Sequence, residues 1–306
     1  MFRLPSTESR AVCFLQEKGV LLRASYCDKG HQMILNPDSS NCRWRCYRCD
    51  TGRSVRCESW LENSKLPLST IIRFVYLWST WELTTLDIRG EELDLSHSTI
   101  VTWNRALRDL CYWELRSRPS VKIGGPGEIV EIDESLFSKA KNHVGRVLPQ
   151  TWVFGGVCRS TKDCFVLQVP DRKASTLLRA IEANIAPGTT IYSDSWAGYK
   201  TEELRAAGFE HSKVNHKYNF VDPASGAHTQ HIERLWGSAK WRNKRHRGTA
   251  RSQLDSYLIE FVWRQRLQGR DPFEAILEIM ARVRLVPTDT DHTYHRRPPS
   301  RQQGAQ

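Results

Sequence analysis

The sequence predicts a mixed α/β fold, in which helices pack on a mixed β-sheet, preceded by a small metal-stapled module and a helical segment. Three observations predict it. Between residues 123 and 270, three apolar, β-rich runs follow one another across short polar turns, and strand and helix signals then alternate. Residues 63–122 carry apolar side chains at helical steps of three and four. Four of the nine Cys crowd into residues 42–57, in an Arg- and Trp-rich stretch with little aliphatic material.

Composition narrows the class of partner. The 306 residues carry a net charge of +11, and 40% are hydrophobic, enough for a packed core. No apolar run approaches the roughly 20 residues that span a bilayer, and the first twenty residues hold no long apolar block and no small-residue cleavage site, so no secretory signal is expected. An odd Cys count reads as thiols and metal ligands in a reducing compartment rather than a disulfide framework. A basic chain of this kind is expected to meet a polyanion, with nucleic acid foremost and no membrane. No internal repeat points to a solenoid or propeller.

The elements follow in order. Residues 1–62 read as a zinc-ribbon-like module. Cys46-Tyr-Arg-Cys49 is a C-x2-C knuckle, Cys27 and His31 form a C-x3-H pair, and 14 residues separate the pairs. That loop length suits Zn²⁺, with Cys42 and Cys57 as rival ligands. Residues 63–122 read as helices. Leu68, Ile71, Ile72, Val75 and Trp78 mark one, and Ile100, Trp103, Leu107, Leu110 and Trp113 mark another, capped by Ser96 or Ser98. Between them TTLDIRGEELDLSHS carries a Gly turn. This is the outline of a helix-turn-helix whose Asn104, Arg105 and Arg108 project toward a major groove, or else of an ordinary three-helix packing unit.

Residues 123–270 carry the clearest pattern. GEIVEIDESLF, TWVFGGVCRS and CFVLQVP are three strands. ASTLLRAIEANI is a helix, TTIYSDS a strand, AGYKTEELRAAG a helix and FEHSKVNH a strand, before the long helix TQHIERLWGSAKWRNKRH. The order β-β-β-α-β-α-β-α is how an RNase H-like fold reads from sequence. Residues 271–306 give one more helix and a polar, disordered-looking tail, HRRPPSRQQGAQ.

Three carboxylates stand out. Asp133 interrupts an apolar strand, sharing a face with Glu131 while Val130, Ile132 and Leu136 line the other. Asp194 closes the strand TTIYSDS, and Glu233 lies in the first turns of the long helix. Acids on separate elements suit Mg²⁺ (or Mn²⁺), a hard cation that leaves coordination positions for a phosphate. Two such ions about 3.5–4 Å apart serve phosphodiester cleavage. Lys240, seven residues beyond Glu233, falls nearly on the same helix face. Residues 240–251, KWRNKRHRGTAR, carry six basic side chains and no acid, among them Arg242, Lys244, Arg245 and Arg247. Arg43, Arg45, Arg48, Arg53 and Arg56 form a second basic cluster. Of the eleven Trp, Trp44, Trp103, Trp196, Trp236 and Trp241 sit near polar residues, where some could stack on an unpaired base although core packing is the commoner role. His216 and His228 flank the loop before Glu233 and read as structural.

The ordered set IVEIDESLF, TWVFGGVCR, VPDRKASTLLRAI, IYSDSWAGYK and VNHKYNFVDPASGAHTQHIERLWGSAK resembles the catalytic core of the Merlin superfamily of DNA transposases and its bacterial insertion-sequence relatives. WRCYRC, SWLENSKLPL and YLW are similar to the N-terminal part of the same proteins. The resemblance implies a DDE triad at Asp133, Asp194 and Glu233, with the family's downstream Lys at Lys240. The relatives usually show C-x2-C at the first knuckle too, where this chain has Gly30 followed by His31. The resemblance implies a transposase that acts on double-stranded DNA, at terminal inverted repeats and target, as a homo-oligomer. It further implies that water attack first exposes a 3′-hydroxyl, which then attacks the target strand. Rival readings are a domesticated, non-catalytic DNA-binding protein and an RNase H-like nuclease without strand transfer. The expected location is the nucleus in a eukaryote, or the cytoplasm in a bacterium.

Overall fold

The computed structural model describes residues 4–36, 42–80, 93–117, 121–137, 151–194, 196, 198–214, 228–245 and 251–283, with the side chains of 242–245 and 251 outside the description. The chain forms two compact units, Met1–Glu114 with Gly269–Gln306, and Leu115–Gln268. Among the described residues, no helix is long and apolar enough to cross a membrane.

The first unit opens with a helix the sequence patterns did not single out, α1 (Glu8–Glu17), capped by Thr7 and burying Ala11, Val12 and Leu15. Its Glu8 does a second task. The helix α2 (Leu68–Ser79) follows Pro67, which offers no capping side chain. Glu8 supplies the cap instead, accepting hydrogen bonds from the amides of Leu68 and Ser69 at 2.9 Å each. Three short strands, β1 (Ile34–Asn36), β2 (Arg43–Cys46) and β3 (Thr51–Ser54), form an antiparallel sheet in that order. Their core is small: Cys27, Met33, Trp44 and Cys46.

The helix α3 (His97–Ser117) starts at Ser96, whose hydroxyl accepts from the Thr99 amide at 3.2 Å. Ile100, Trp103, Leu107 and Leu110 are buried as their spacing predicts. Trp103 packs edge-on to Trp60 at 5.7 Å and against Phe74 at 6.0 Å. Two of the three expected base-reading residues point the wrong way. Asn104 is 8% exposed and Arg108 4%, whereas Arg105 is exposed. The reason is the width of the buried face, which also takes in Ala106, Cys111 and Glu114 and so covers more than a narrow stripe. Arg282, from the last helix α8 (Pro272–Arg282), binds the Glu114 carboxylate at 2.6 Å. A helix enclosed over so much of its circumference cannot present Asn104 and Arg108 to a groove. Most of the expected turn, residues 81–92, lies outside the described residues.

The second unit is built on five strands: β4 (Ile129–Leu136), β5 (Trp152–Cys158), β6 (Cys164–Val169), β7 (Thr190–Asp194) and β8 (Glu210–Val214). Their order in the sheet is β6-β5-β4-β7-β8. The first three pair antiparallel, while β7 and β8 run parallel to β4. Helix α4 (Ala174–Asn184) makes the crossover to β7, and α5 (Thr201–Ala206) the crossover to β8. This is the RNase H-like topology. Val130, Ile132, Phe154 and Ile191 face Leu177, Ala180 and Ile181 of α4 in one apolar layer. The opposite face of β4 and β5 takes α6 (Gln230–Arg245), and α7 (Arg251–Arg266) packs on β6.

Candidate active site

β4 alternates faces, so Glu131 and Asp133 both turn toward α6. Asp133 accepts a hydrogen bond from the Trp236 indole Nε1 at 2.9 Å. In the sheet register Asp133 stands opposite Gly155 of β5. That glycine is required: a Cβ there would meet the Trp236 ring at 2.9 Å. Asp194 ends β7, and the Trp196 amide donates to its Oδ1 at 3.1 Å. Glu233 lies in the first turn of α6, its side chain exposed. Burial pushes Asp133 up to about 6, and the negative charges of Asp194 and Glu233 push in the same direction. The three acids therefore share one electrostatic neighbourhood, at the end of the sheet where β4 and β7 finish. Their oxygens do not draw within 4.8 Å of one another, as the two metal-ligand groups found among the described residues do.

Lys240 stands at the same edge. Its Nζ is 5.6 Å from the Phe137 ring centroid, and Phe137 meets Trp236 edge-on at 6.0 Å. The sequence reading of one continuous helix through Lys240 agrees with α6. Arg242, Lys244 and Arg245 continue that helix, but their side chains lie outside the description, and Arg247 lies outside the described residues altogether, as does His216.

What holds α6 in place is Glu131, a residue that sequence reasoning placed on the right face without assigning it a task. It is fully buried. Its Oε2 accepts from the amides of His231 and Ile232 at 2.8 and 3.1 Å, capping the helix. Its Oε1 takes Arg159 Nε at 2.7 Å and His231 Nδ1 at 2.9 Å, with His228 Nδ1 at 3.5 Å. Glu131, His228 and His231 have the atom types of a metal site. A guanidinium nitrogen on the same oxygen disfavours a cation there, and the cluster works as a helix clamp. The available signal was a second carboxylate in the same apolar strand, two residues before Asp133.

A third acid on β4, Glu134, faces the other layer. Burial, reinforced by Asp133 and Asp194, pushes it up to about 7. Nearby Arg172 acts in the opposite direction. The Arg172 guanidinium carbon lies 3.9 Å from the Trp152 ring centroid and 4.6 Å from that of Trp196.

In the first unit, Cys27, His31, Cys46 and Cys49 converge, their donor atoms all within 4.8 Å of one another. Cys27 and Cys49 sulfurs are 3.8 Å apart, and His31 Nδ1 is 3.2 Å from Cys49 Sγ and 3.9 Å from Cys46 Sγ. A tetrahedron with Zn–S bonds of about 2.3 Å has S···S edges near 3.8 Å, so the donor set and its size fit zinc. Cys42 and Cys57 are not in the group. Gly30 takes φ +77° in the turn, where its amide donates to the Cys27 carbonyl, and the chain then delivers His31 as the fourth donor.

Residues 126–266 match the family model of the ISXO2-like transposase domain. An uncharacterized transposase-like protein of Haemophilus influenzae is 26% identical over 100 residues, covering 33% of this chain and 78% of that protein. Among solved structures, the catalytic core domain of BIV integrase superposes with a TM-score of 0.32 at 14% identity, over 49% of this chain and 93% of that one. The HTLV-2 integrase catalytic core domain in complex with magnesium gives 0.31 at 17% identity, over 47% and 88%. With an RNase H-like strand order and clustered acids already in view, the sequence matches converge: over residues 126–266 this chain is similar to insertion-sequence transposases of the ISXO2-like group.

Proposed function

We propose that this chain is a DDE-type transposase that binds the ends of its element, cuts a phosphodiester bond there and joins the freed end to target DNA. The observation that carries the reading is the shared neighbourhood of Asp133, Asp194 and Glu233 on three separate elements. Mutually repelling carboxylates, partly buried at Asp133 and Asp194 and exposed at Glu233, fit a hard divalent cation, Mg²⁺ or Mn²⁺. When bound, such ions activate the attacking oxygen and stabilise the leaving one. The chain's own residues prepare that chemistry. Trp236 orients Asp133 by its indole N–H, the Trp196 amide orients Asp194, and Glu131 fixes the helix that carries Glu233. Lys240 holds a phosphate flanking the cut bond, which positions substrate without making or breaking bonds. Both steps are in-line displacements at phosphorus, first by water and then by a 3′-hydroxyl, so one site serves both.

Zn²⁺ at Cys27, His31, Cys46 and Cys49 staples the N-terminal module, and Arg105 with the basic segment beyond Lys240 contacts DNA phosphates. The ordered motifs resemble those of the Merlin group, which supports action in the nucleus of a eukaryotic host, and holding two element ends together calls for a homo-oligomer on DNA. In a bacterial host the work is done in the cytoplasm. The test is incubation of the purified full chain with labelled terminal-repeat duplex, target plasmid and Mg²⁺. Cleavage with joining supports the reading. Cleavage alone reduces the protein to a nuclease, and binding alone to a domesticated DNA-binding protein.

A further inference from the structure

We propose that Trp152, Arg172 and Trp196 form a seat for one unpaired nucleobase beside the acids. The inference rests on the reading of those acids as a DNA-cleaving site. Three elements bring the residues together. Trp152 begins β5 and pairs with Leu136, the last residue of β4, and with Val169, the last residue of β6. Arg172 follows three residues after Val169, and Trp196 two residues after Asp194. All three thus stand at the edge where β4, β6 and β7 end, which is where an α/β sheet offers its ligand crevice.

The seat is held firmly. The backbone amide of Trp196 is bonded to the Asp194 carboxylate, which ties the backbone that carries the ring to the acid. The Trp196 ring lies against Gly198, where a Cβ would come within 2.0 Å of it. Tyr199 meets the same indole edge-on at 5.9 Å and 87°. Trp152 and Trp196 are only partly buried, whereas Phe154, Phe165 and Tyr199 beneath them are interior. A guanidinium over two indoles occupies the π-faces that a base would use, because both ligands are flat and are held by stacking. Moved off the rings, Arg172 keeps a charge suited to the phosphate of the nucleotide that replaces it. A base inside a duplex has both faces covered by its neighbours, so the seat selects a strand already opened at that position.

The experiment uses the full chain without added Mg²⁺ and three hairpin or duplex oligonucleotides: fully paired, with one unpaired base next to the terminal-repeat end, and with an abasic residue at that place. Wild type is expected to bind the unpaired-base probe roughly 5- to 150-fold more tightly than the abasic one, the range that one stacked base supplies. Trp196→Ala and Trp152→Ala abolish that ratio and leave the fully paired duplex unaffected, whereas Trp196→Phe retains most of it. An equal affinity of wild type for the unpaired-base and abasic probes overturns the proposal, and so does an equal loss on all three probes in the Ala variants. If the Ala variants do not fold, the wild-type ratio decides alone. A chain that prefers the unpaired base but never cuts DNA keeps the seat and loses the transposase reading. A chain that cuts and joins but ignores the abasic substitution keeps that reading and loses the seat.

Discussion

Replacing Asp133 with Asn should stabilise the metal-free protein while ending strand cleavage. The carboxylate sits where burial and two neighbouring acids raise its pKa from an ordinary 3.8 to about 6. Asn keeps the oxygen that accepts the Trp236 indole hydrogen bond but carries no charge. Between pH 3.8 and 6 the folded chain holds a proton that the unfolded chain has released, so stability falls as pH rises through that window. Below it wild type and variant converge, and above it the full penalty is in place. Two pKa units at 1.36 kcal/mol each give about 3 kcal/mol, and the part of the carboxyl still open to water reduces this to about 2 kcal/mol. For a unit of this size that is a rise in Tm of roughly 4–8 °C at pH 7.5. Calorimetry of the transition belonging to residues 115–268 measures it, with and without Mg²⁺. Added Mg²⁺ should raise the wild-type transition and leave the variant nearly unmoved, because a bound ligand stabilises only the state that binds it. A variant no more stable than wild type at pH 7.5, or a gap that does not close toward pH 4, refutes the reasoning.

The other perturbations address separate parts of the molecule. Glu131→Gln leaves Arg159 without its charge partner and weakens the cap of α6, so a loss of about 3 kcal/mol in urea unfolding is expected, with slower cleavage from a displaced Glu233. Cys46→Ser should lower bound zinc from about one per chain to none and unfold residues 20–60 while the second unit keeps its melting transition, read by metal analysis and hydrogen exchange. Arg108→Ala, which empties a buried position, should destabilise the first unit by about 1–3 kcal/mol. Arg105→Ala should leave stability alone and weaken DNA binding in a salt-dependent way, as filter binding across a salt series would show. Lys240→Ala should slow cleavage and steepen its salt dependence with metal affinity unchanged, and Lys240→Arg should recover part of the loss.

Much of the second unit was legible because its signals are local. The period of two in GEIVEIDESLF and the turns after it are written into consecutive residues, and β4 to β8 form where those patterns lie. The helix after Thr229 was equally plain, since Ile232, Leu235 and Trp236 recur on one face and are buried. Where the pattern misled, a second surface was involved. An apolar stripe on α3 shows which residues face one partner, but it does not say that Asn104 and Arg108 are covered as well. The helix α1 escaped notice because its ten residues bury only three apolar side chains, too few to stand out as a period.

By itself the sequence determined the element order, the basic charge and the residue types available for hard and soft metal ions. These follow from local periodicity and composition, which need no knowledge of what lies across the fold. Only the tertiary structure decided which donors meet. His31 rather than Cys42 or Cys57 joins the cysteine group, although Cys42 is nearer in sequence to Cys46. Glu131 acquires its role from Arg159 and His231, 28 and 100 positions away. Trp152, Arg172 and Trp196 stack because three strands end at one edge. The physical reason is common to all three cases. A buried charge or an indole face is given its task by the groups that desolvate and pair it, and those come from chain segments whose meeting depends on the whole packing.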